Sequence, residues 1–207
     1  QTKNKVLMSE FYLEGSLKNK NVLIVSFGGM LLKMGGILPF EFLNYLSKLH
    51  PEHDKLFYID KHQYWYNKGI EGISTNIQET VAYLKEKSKA YKKVVFMGIS
   101  AGGYAAILFG SLLKVKHVLA FVPQTYIEGR RENLDVAFIN LRSYINNSTQ
   151  YIIYGDPEVE EVSHLHHFSH CTNIAGSKNV TLIKIPNLEL KELRDSGEIK
   201  SVLMKII

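Results

Sequence analysis

Apolar residues along the chain gather in short runs of strand length, and the segments between them carry apolar residues at helical spacing. Asn21-Val22-Leu23-Ile24-Val25-Ser26-Phe27 is nearly continuous, the pattern of a parallel strand buried on both faces. Similar runs at 55–59, 93–99, 117–122, 151–154 and 180–185 predict further strands, and Val6 to Leu13 predicts a first one, leading through Gly15 into a turn at 18–21. Between them, residues 39–46, with Pro39 near the start, and 76–89, with Ile77, Val81 and Leu84 on one face, predict helices. The end of the chain, from Leu188 to Ile207, predicts an amphipathic helix interrupted near Gly197. Residues 164–171 also suggest helix, and 128–148 a polar, partly helical excursion, the candidate for a small lid. Strands alternating with helices through 1–207 predict one α/β domain, a mostly parallel central sheet with helices on both faces.

One strand-to-helix junction stands apart. Gly98-Ile99-Ser100-Ala101-Gly102 fits the G-x-S-x-G nucleophile elbow, in the strand–turn–helix setting that the pattern requires. A serine on so sharp a turn sits in strained backbone and needs very small neighbours, which Gly98 and Gly102 supply. Gly103, Ala105 and Ala106 then let the helix lie close to the sheet. The reward is a hydroxyl at a helix N-terminus, where free amides favour developing negative charge. Ser100 is therefore the candidate nucleophile. The Ala101 N–H, with Gly28 or Gly29 from the end of the preceding central strand, are the candidate oxyanion donors.

Such a serine needs a histidine base and a carboxylate to orient it. Asp156, directly after the strand at 151–154, and Glu161 are the candidate acids; an Asp-Pro pair also opens turns, and the pattern does not choose between them. In this order of elements the base belongs after the last strand, where Pro186-Asn187-Leu188-Glu189-Leu190-Lys191 holds no histidine. His164, His166, His167 and His170 lie earlier. For one of them to serve, the segment after the acid strand would have to fold back over the elbow, which counts against it. The pairs His166/His170 and His167/Cys171 have the i, i+4 spacing of metal ligands but lack a full ligand set, so they read as polar helix surface. No metal and no cofactor is expected. Tyr64-Trp65-Tyr66 is either a stacking platform for a sugar or a loop packed onto the domain; Trp65, Tyr66 and Gln124 are the candidate substrate contacts.

Composition narrows the function classes. A hydrophobic fraction of 45% with 22% charged residues is that of an ordinary globular domain. The net charge of +5 is spread along the chain. Its densest cluster, Lys85, Lys87, Lys89, Lys92 and Lys93, lacks interleaved aromatics and reads as a solvated face rather than a nucleic-acid site. The single Cys171 excludes an internal disulfide. Together with the lack of a signal-like segment or a membrane-length apolar run, it leads to the expectation of a cytoplasmic protein. A start at Gln1 is expected of a fragment or a processed chain.

With these motifs and this strand order, the chain resembles the α/β-hydrolase superfamily across most of its length. More narrowly, Gly98-Ile99-Ser100-Ala101-Gly102-Gly103 with Phe121-Val122-Pro123-Gln124 is similar to a bacterial subgroup tied to surface glycans. That subgroup includes capsular polysaccharide O-acetyltransferases and the glycan-modifying protein of the accessory Sec system. The resemblance implies serine-dependent acyl transfer, as carboxylester hydrolase or O-acetyltransferase, on a small-molecule or glycan ester. It also implies an acid three residues before a histidine, matched by Glu161-Val162-Ser163-His164, which favours Glu161 over Asp156. The subgroup's base lies in a loop between the last strand and the final helix, where this chain passes directly from Asn187 to Leu188. Three explanations compete: a catalytically inactive binding or scaffold domain, another histidine as base, or a mobile histidine-bearing loop absent at that junction. The abruptness of the passage favours the third.

Overall fold

The computed structural model describes residues 7–15, 21–30 and 40–207. Val6, residues 18–20 of the expected turn and Pro39 lie outside them. β1 (Leu7–Met8) and β2 (Tyr12–Glu14) form an antiparallel hairpin where the pattern predicts one strand. The cause is Ser9, whose Oγ accepts the N–H groups of Phe11 (3.0 Å) and Tyr12 (3.2 Å) and turns the chain locally.

β3 (Val22–Phe27), β4 (Asp54–Tyr58), β5 (Lys93–Ile99), β6 (His117–Phe121), β7 (Gln150–Gly155) and β8 (Val180–Lys184) continue one eight-stranded sheet. The order across it is β1-β2-β4-β3-β5-β6-β7-β8, and all neighbours from β4 to β8 run parallel. β5 lies at its centre, with Gly98 opposite Phe27 of β3 on one side and Ala120 of β6 on the other. In a parallel sheet of this kind the strand C-termini form the crevice for ligands, and the elbow opens there.

Alternation along β3 divides the core in two. Leu23, Val25 and Phe27 pack with α2 (Ile77–Ser88) and α3 (Ala101–Leu113) on one face. Val22 and Ile24 pack on the other with α1 (Leu43–Leu49), α5 (Leu190–Asp195) and α6 (Glu198–Ile206), so both faces are covered. The start of α2 is a capping arrangement: Asn76 Oδ1 accepts the Glu79 N–H (2.8 Å) while the Glu79 carboxylate accepts the Thr75 N–H (2.8 Å). Gly197, at φ 82°, separates α5 from α6, whose residues Ile199, Val202, Leu203 and Ile206 form the buried stripe.

Two departures from the sequence pattern bear on the site. The excursion at 128–148 holds only two single 3-10 turns, Val136–Phe138 and Leu141–Tyr144, packed on α3 through Phe138, Leu141 and a hydrogen bond from Tyr104 Oη to the Phe138 carbonyl (2.7 Å). Residues 162–167 are turns, and α4 begins only at Ser169 (Ser169–Ile174). No helix among the described residues is long and apolar enough to cross a membrane.

Candidate active site

Ser100 precedes α3 with φ 57° and ψ −119°, left-handed backbone that a serine adopts only where its surroundings enforce it. The two flanking glycines are steric necessities. A Cβ on Gly98 would stand 2.2 Å from the Gly102 carbonyl oxygen, and one on Gly102 would stand 2.0 Å from the Phe27 carbonyl oxygen. The Ser100 N–H is tied to the Phe121 carbonyl (2.9 Å), so β6 holds the turn from the side. Ala101 opens α3, and its amide is one of those that the first helical turn leaves unpaired. Of the two glycines after β3, Gly28 gives its N–H to the Tyr58 carbonyl (2.9 Å) and is spent on the sheet. Gly29 lies against the elbow, where a Cβ would be 3.4 Å from the Ile99 carbonyl oxygen and 3.7 Å from Ser100 Cβ.

The partner of Ser100 comes from the place that the sequence argument set aside. His166 Nε2 stands 2.8 Å from Ser100 Oγ. The turns at 162–167 fold back over the elbow, fixed by the His164 N–H on the Glu161 carbonyl (2.9 Å) and the His166 N–H on His164 Nδ1 (3.0 Å). A cleft of about 320 Å³ beside Ser100 is lined by Met30, Gln124, Glu161, His164, Leu165 and His166 among others, so the cover over the serine comes from this segment. Burial first, and then the neighbouring His164, lowers the His166 pKa below its ordinary 6.5, which favours the neutral imidazole that a proton acceptor must be.

Neither candidate acid is hydrogen-bonded to that imidazole. Asp156 is buried and accepts the N–H groups of Glu158 (2.9 Å), Asn187 (3.0 Å) and Leu188 (3.0 Å). Its carboxylate thus clamps the β8 exit to the β7 exit, and the junction at Asn187, where φ is 53°, is a tight turn capped by these bonds. Glu161 is exposed at the cleft mouth and accepts the Ser163 hydroxyl.

The aromatic loop packs inward. Trp65 and Tyr66 are 1% and 0% exposed, which corrects their assignment as substrate contacts: no ring face is open for a sugar. Buried Asp60 holds the loop by accepting the amides of His62 (3.1 Å), Tyr64 (2.7 Å) and Tyr66 (2.9 Å). Tyr66 Oη lies 2.9 Å from the Gly28 carbonyl, and the Trp65 indole N–H donates to Gln124 Oε1. Gln124 Nε2 in turn donates to Ser100 Oγ (2.7 Å).

The histidine cluster does not assemble as a metal site. His170 is buried, and its Nδ1 accepts the Thr125 N–H (3.2 Å), with the Tyr126 N–H at 3.4 Å. Burial first, then the Arg130 charge and the neighbouring His167 and His166, push its pKa down to about 4. Because the folded value lies below the ordinary 6.5, protonation favours the unfolded chain. The stability that His170 contributes is complete above 6.5 and is lost as the pH falls towards 4. Melting temperature followed from about pH 7 to about pH 4 is expected to fall, and to fall less steeply in His170→Asn, whose amide oxygen replaces Nδ1 without titrating. Equal slopes would remove His170 as the cause.

His50, Glu52 and His53, before β4 at the opposite end of the sheet, do cluster, with His50 Nδ1 3.4 Å and His53 Nε2 3.1 Å from Glu52 Oε1. Metal ligation through those nitrogens would place N–H groups on His50 Nε2 and His53 Nδ1, which are buried with no partner among the described residues. Lys55 Nζ, 2.5 Å from the His53 carbonyl, adds positive charge beside them. The geometry suits two imidazoles donating to one carboxylate.

No protein-family model matches the sequence, and no curated protein matches it. Solved structures do. A capsule O-acetyltransferase of Neisseria meningitidis serogroup A, a histidine-to-alanine mutant in complex with CoA, superposes with a TM-score of 0.64 at 12% identity, over 95% of this chain and 91% of that one. An α/β hydrolase enzyme from a metagenome of lagoon sediments at Mar Chica, Morocco, gives 0.58 at 15% identity, over 96% and 94%. A Xanthomonas campestris α/β serine hydrolase without lid gives 0.55 at 12% identity, over 100% and 96%. The chain has the α/β-hydrolase fold.

Proposed function

We propose that this protein is a serine acyl-transfer enzyme, a carboxylester hydrolase or O-acetyltransferase, with Ser100 as nucleophile and His166 as base. One observation carries the reading: a hydroxyl on a strained elbow, 2.8 Å from the Nε2 of a half-buried imidazole. Ser100 Oγ bonds to the carbonyl carbon of an ester or thioester as its proton passes to His166 Nε2. The leaving group departs with that proton, and the Ala101 and Gly29 amides receive the oxyanion. In the second half a hydroxyl gives its proton to Nε2 and its oxygen to the acyl carbon. The C–Oγ bond then breaks, and Oγ takes the proton back.

The fold neighbours, an O-acetyltransferase and α/β hydrolases, support acyl transfer as the general class. The small cleft suits a short acyl group, and a glycan hydroxyl is the acceptor that the elbow and Pro-Gln motifs favour. Hydrolysis of p-nitrophenyl acetate tests the reading. The wild type should release a burst of nitrophenolate equal to the enzyme present, and Ser100→Ala none. A wild type without burst or turnover would favour a hydrolase-like binding domain.

A further inference from the structure

A serine hydrolase ordinarily fixes its proton chain from the histidine's side, through a carboxylate that sets the tautomer. Among the described residues no carboxylate is hydrogen-bonded to His166, and the buried groups on the serine's other side form a one-way donor chain instead. Trp65 Nε1 can only donate, so the Gln124 oxygen must face it and the Gln124 NH2 must face Ser100. That NH2 occupies an acceptor position of Ser100 Oγ, which leaves the Ser100 proton to be given to His166 Nε2. His166 is thereby selected as the tautomer with its proton on Nδ1.

We infer that Gln124 is a catalytic residue of this site, and Trp65 its positioning residue, together aiming the Ser100 hydroxyl at His166 from the nucleophile's side. The inference rests on the serine reading above and adds to it the group that orients the proton. Strained backbone is found along this donor chain as well. Trp65 has φ 51°, Ser100 57°, and Val122, a β-branched residue two positions before Gln124, 38°. Such backbone is unfavourable for a residue with a Cβ and persists only where the surroundings enforce it. Trp65 and Ser100 are members of the chain and Val122 stands beside it, while other such residues, Phe42, Lys114 and Asn187 among them, lie elsewhere. Both side chains are 1% exposed, so water does not compete for the bonds. When the acyl group leaves in the second half-reaction, negative charge gathers on Oγ as the C–Oγ bond breaks, and the Gln124 N–H is already aimed at that atom.

The test is a double-mutant cycle on full-length protein, read as the rate of Ser100 labelling by a fluorophosphonate and as turnover of p-nitrophenyl acetate. Gln124→Met keeps the volume and removes the donor; about a hundredfold loss is expected at unchanged KM. Trp65→Phe keeps the packing and frees the amide to turn; about tenfold loss is expected. In the Gln124→Met background Trp65→Phe should cost nothing more, because Trp65 acts only through Gln124. Gln124→Glu, the isostere that accepts rather than donates, repeats the test should Gln124→Met fold poorly. Wild-type labelling with Gln124 variants within threefold, or additive losses in the cycle, would overturn this inference and leave the serine reading standing. A wild type that is folded yet unlabelled would overturn both.

Discussion

Replacing His166 by Gln should lower turnover of an ester substrate on the order of 10³-fold or more while leaving the fold intact. The expectation follows from position. His166 Nε2 is 2.8 Å from Ser100 Oγ, and without it the hydroxyl has no base to take its proton as the bond to carbon forms. Stability should change by only about 0.5 kcal/mol, since the side chain is partly exposed on a turn. His164→Gln is the control. His164 meets His166 through a backbone amide and an edge-on ring contact (5.3 Å) but makes no hydrogen bond to Ser100, so its loss should cost about tenfold at most, by loosening the turn. The pH profile carries a second signature. Activity requires neutral His166, whose pKa is lowered by burial, so wild-type activity should rise with pH through a midpoint below 6.5 and be flat at neutrality. The residual activity of His166→Gln should lack that acid limb. Equal activities of the His166 and His164 variants would remove the assignment.

Gly102→Ala should damage fold and site together. An added methyl would stand 2.0 Å from the Phe27 carbonyl oxygen, a backbone atom of the central sheet, so α3 or β3 must move. Overpacking of this severity costs about 3 kcal/mol, a drop of roughly 10 °C in melting temperature for a domain of this size. The same shift moves Ser100 relative to Gly29 and His166, and displacement of about 1 Å costs on the order of a hundredfold in rate. Gly15→Ala is the comparison: its Cβ would lie 3.6 Å from the Lys55 carbonyl oxygen, ordinary contact, so stability and activity should hold. Calorimetry and ester turnover of the two variants side by side decide the matter, and a Gly102→Ala protein that melts like the wild type would refute the steric account of the elbow.

The central strands, the sharp turn at Ser100 and the break at Gly197 were legible because each is local. Buried parallel strands leave apolar runs, a sharp strand-to-helix turn demands glycines, and Gly197 adopts the left-handed backbone that a break between helices uses. The hairpin at 7–14 was not, since one Ser9 hydroxyl turns a stretch that otherwise alternates like a single strand. The place of His166 beside Ser100 was not legible for a different reason. That position depends on a fold-back stabilised by the turn bonds of 161–167, and four histidines close together after β7 were the only signal in the sequence. Asp156 read both as acid and as turn opener; its three amide bonds show the turn role, extended to the β8 exit. Between the two readings of Trp65 and Tyr66, stacking platform or packed loop, the sequence could not choose, because nothing in it marks left-handed backbone at residues other than glycine; the structure shows the packed loop. That backbone, clasped by Asp60, is what turns both side chains inward.

The most direct measurement is intact-mass analysis after reaction with a fluorophosphonate, on wild type, Ser100→Ala and His166→Gln in parallel. A single adduct on the wild type, absent from Ser100→Ala and formed far more slowly in His166→Gln, is the result this account predicts. A folded wild type that gains no adduct, or an adduct that persists in Ser100→Ala, would contradict it.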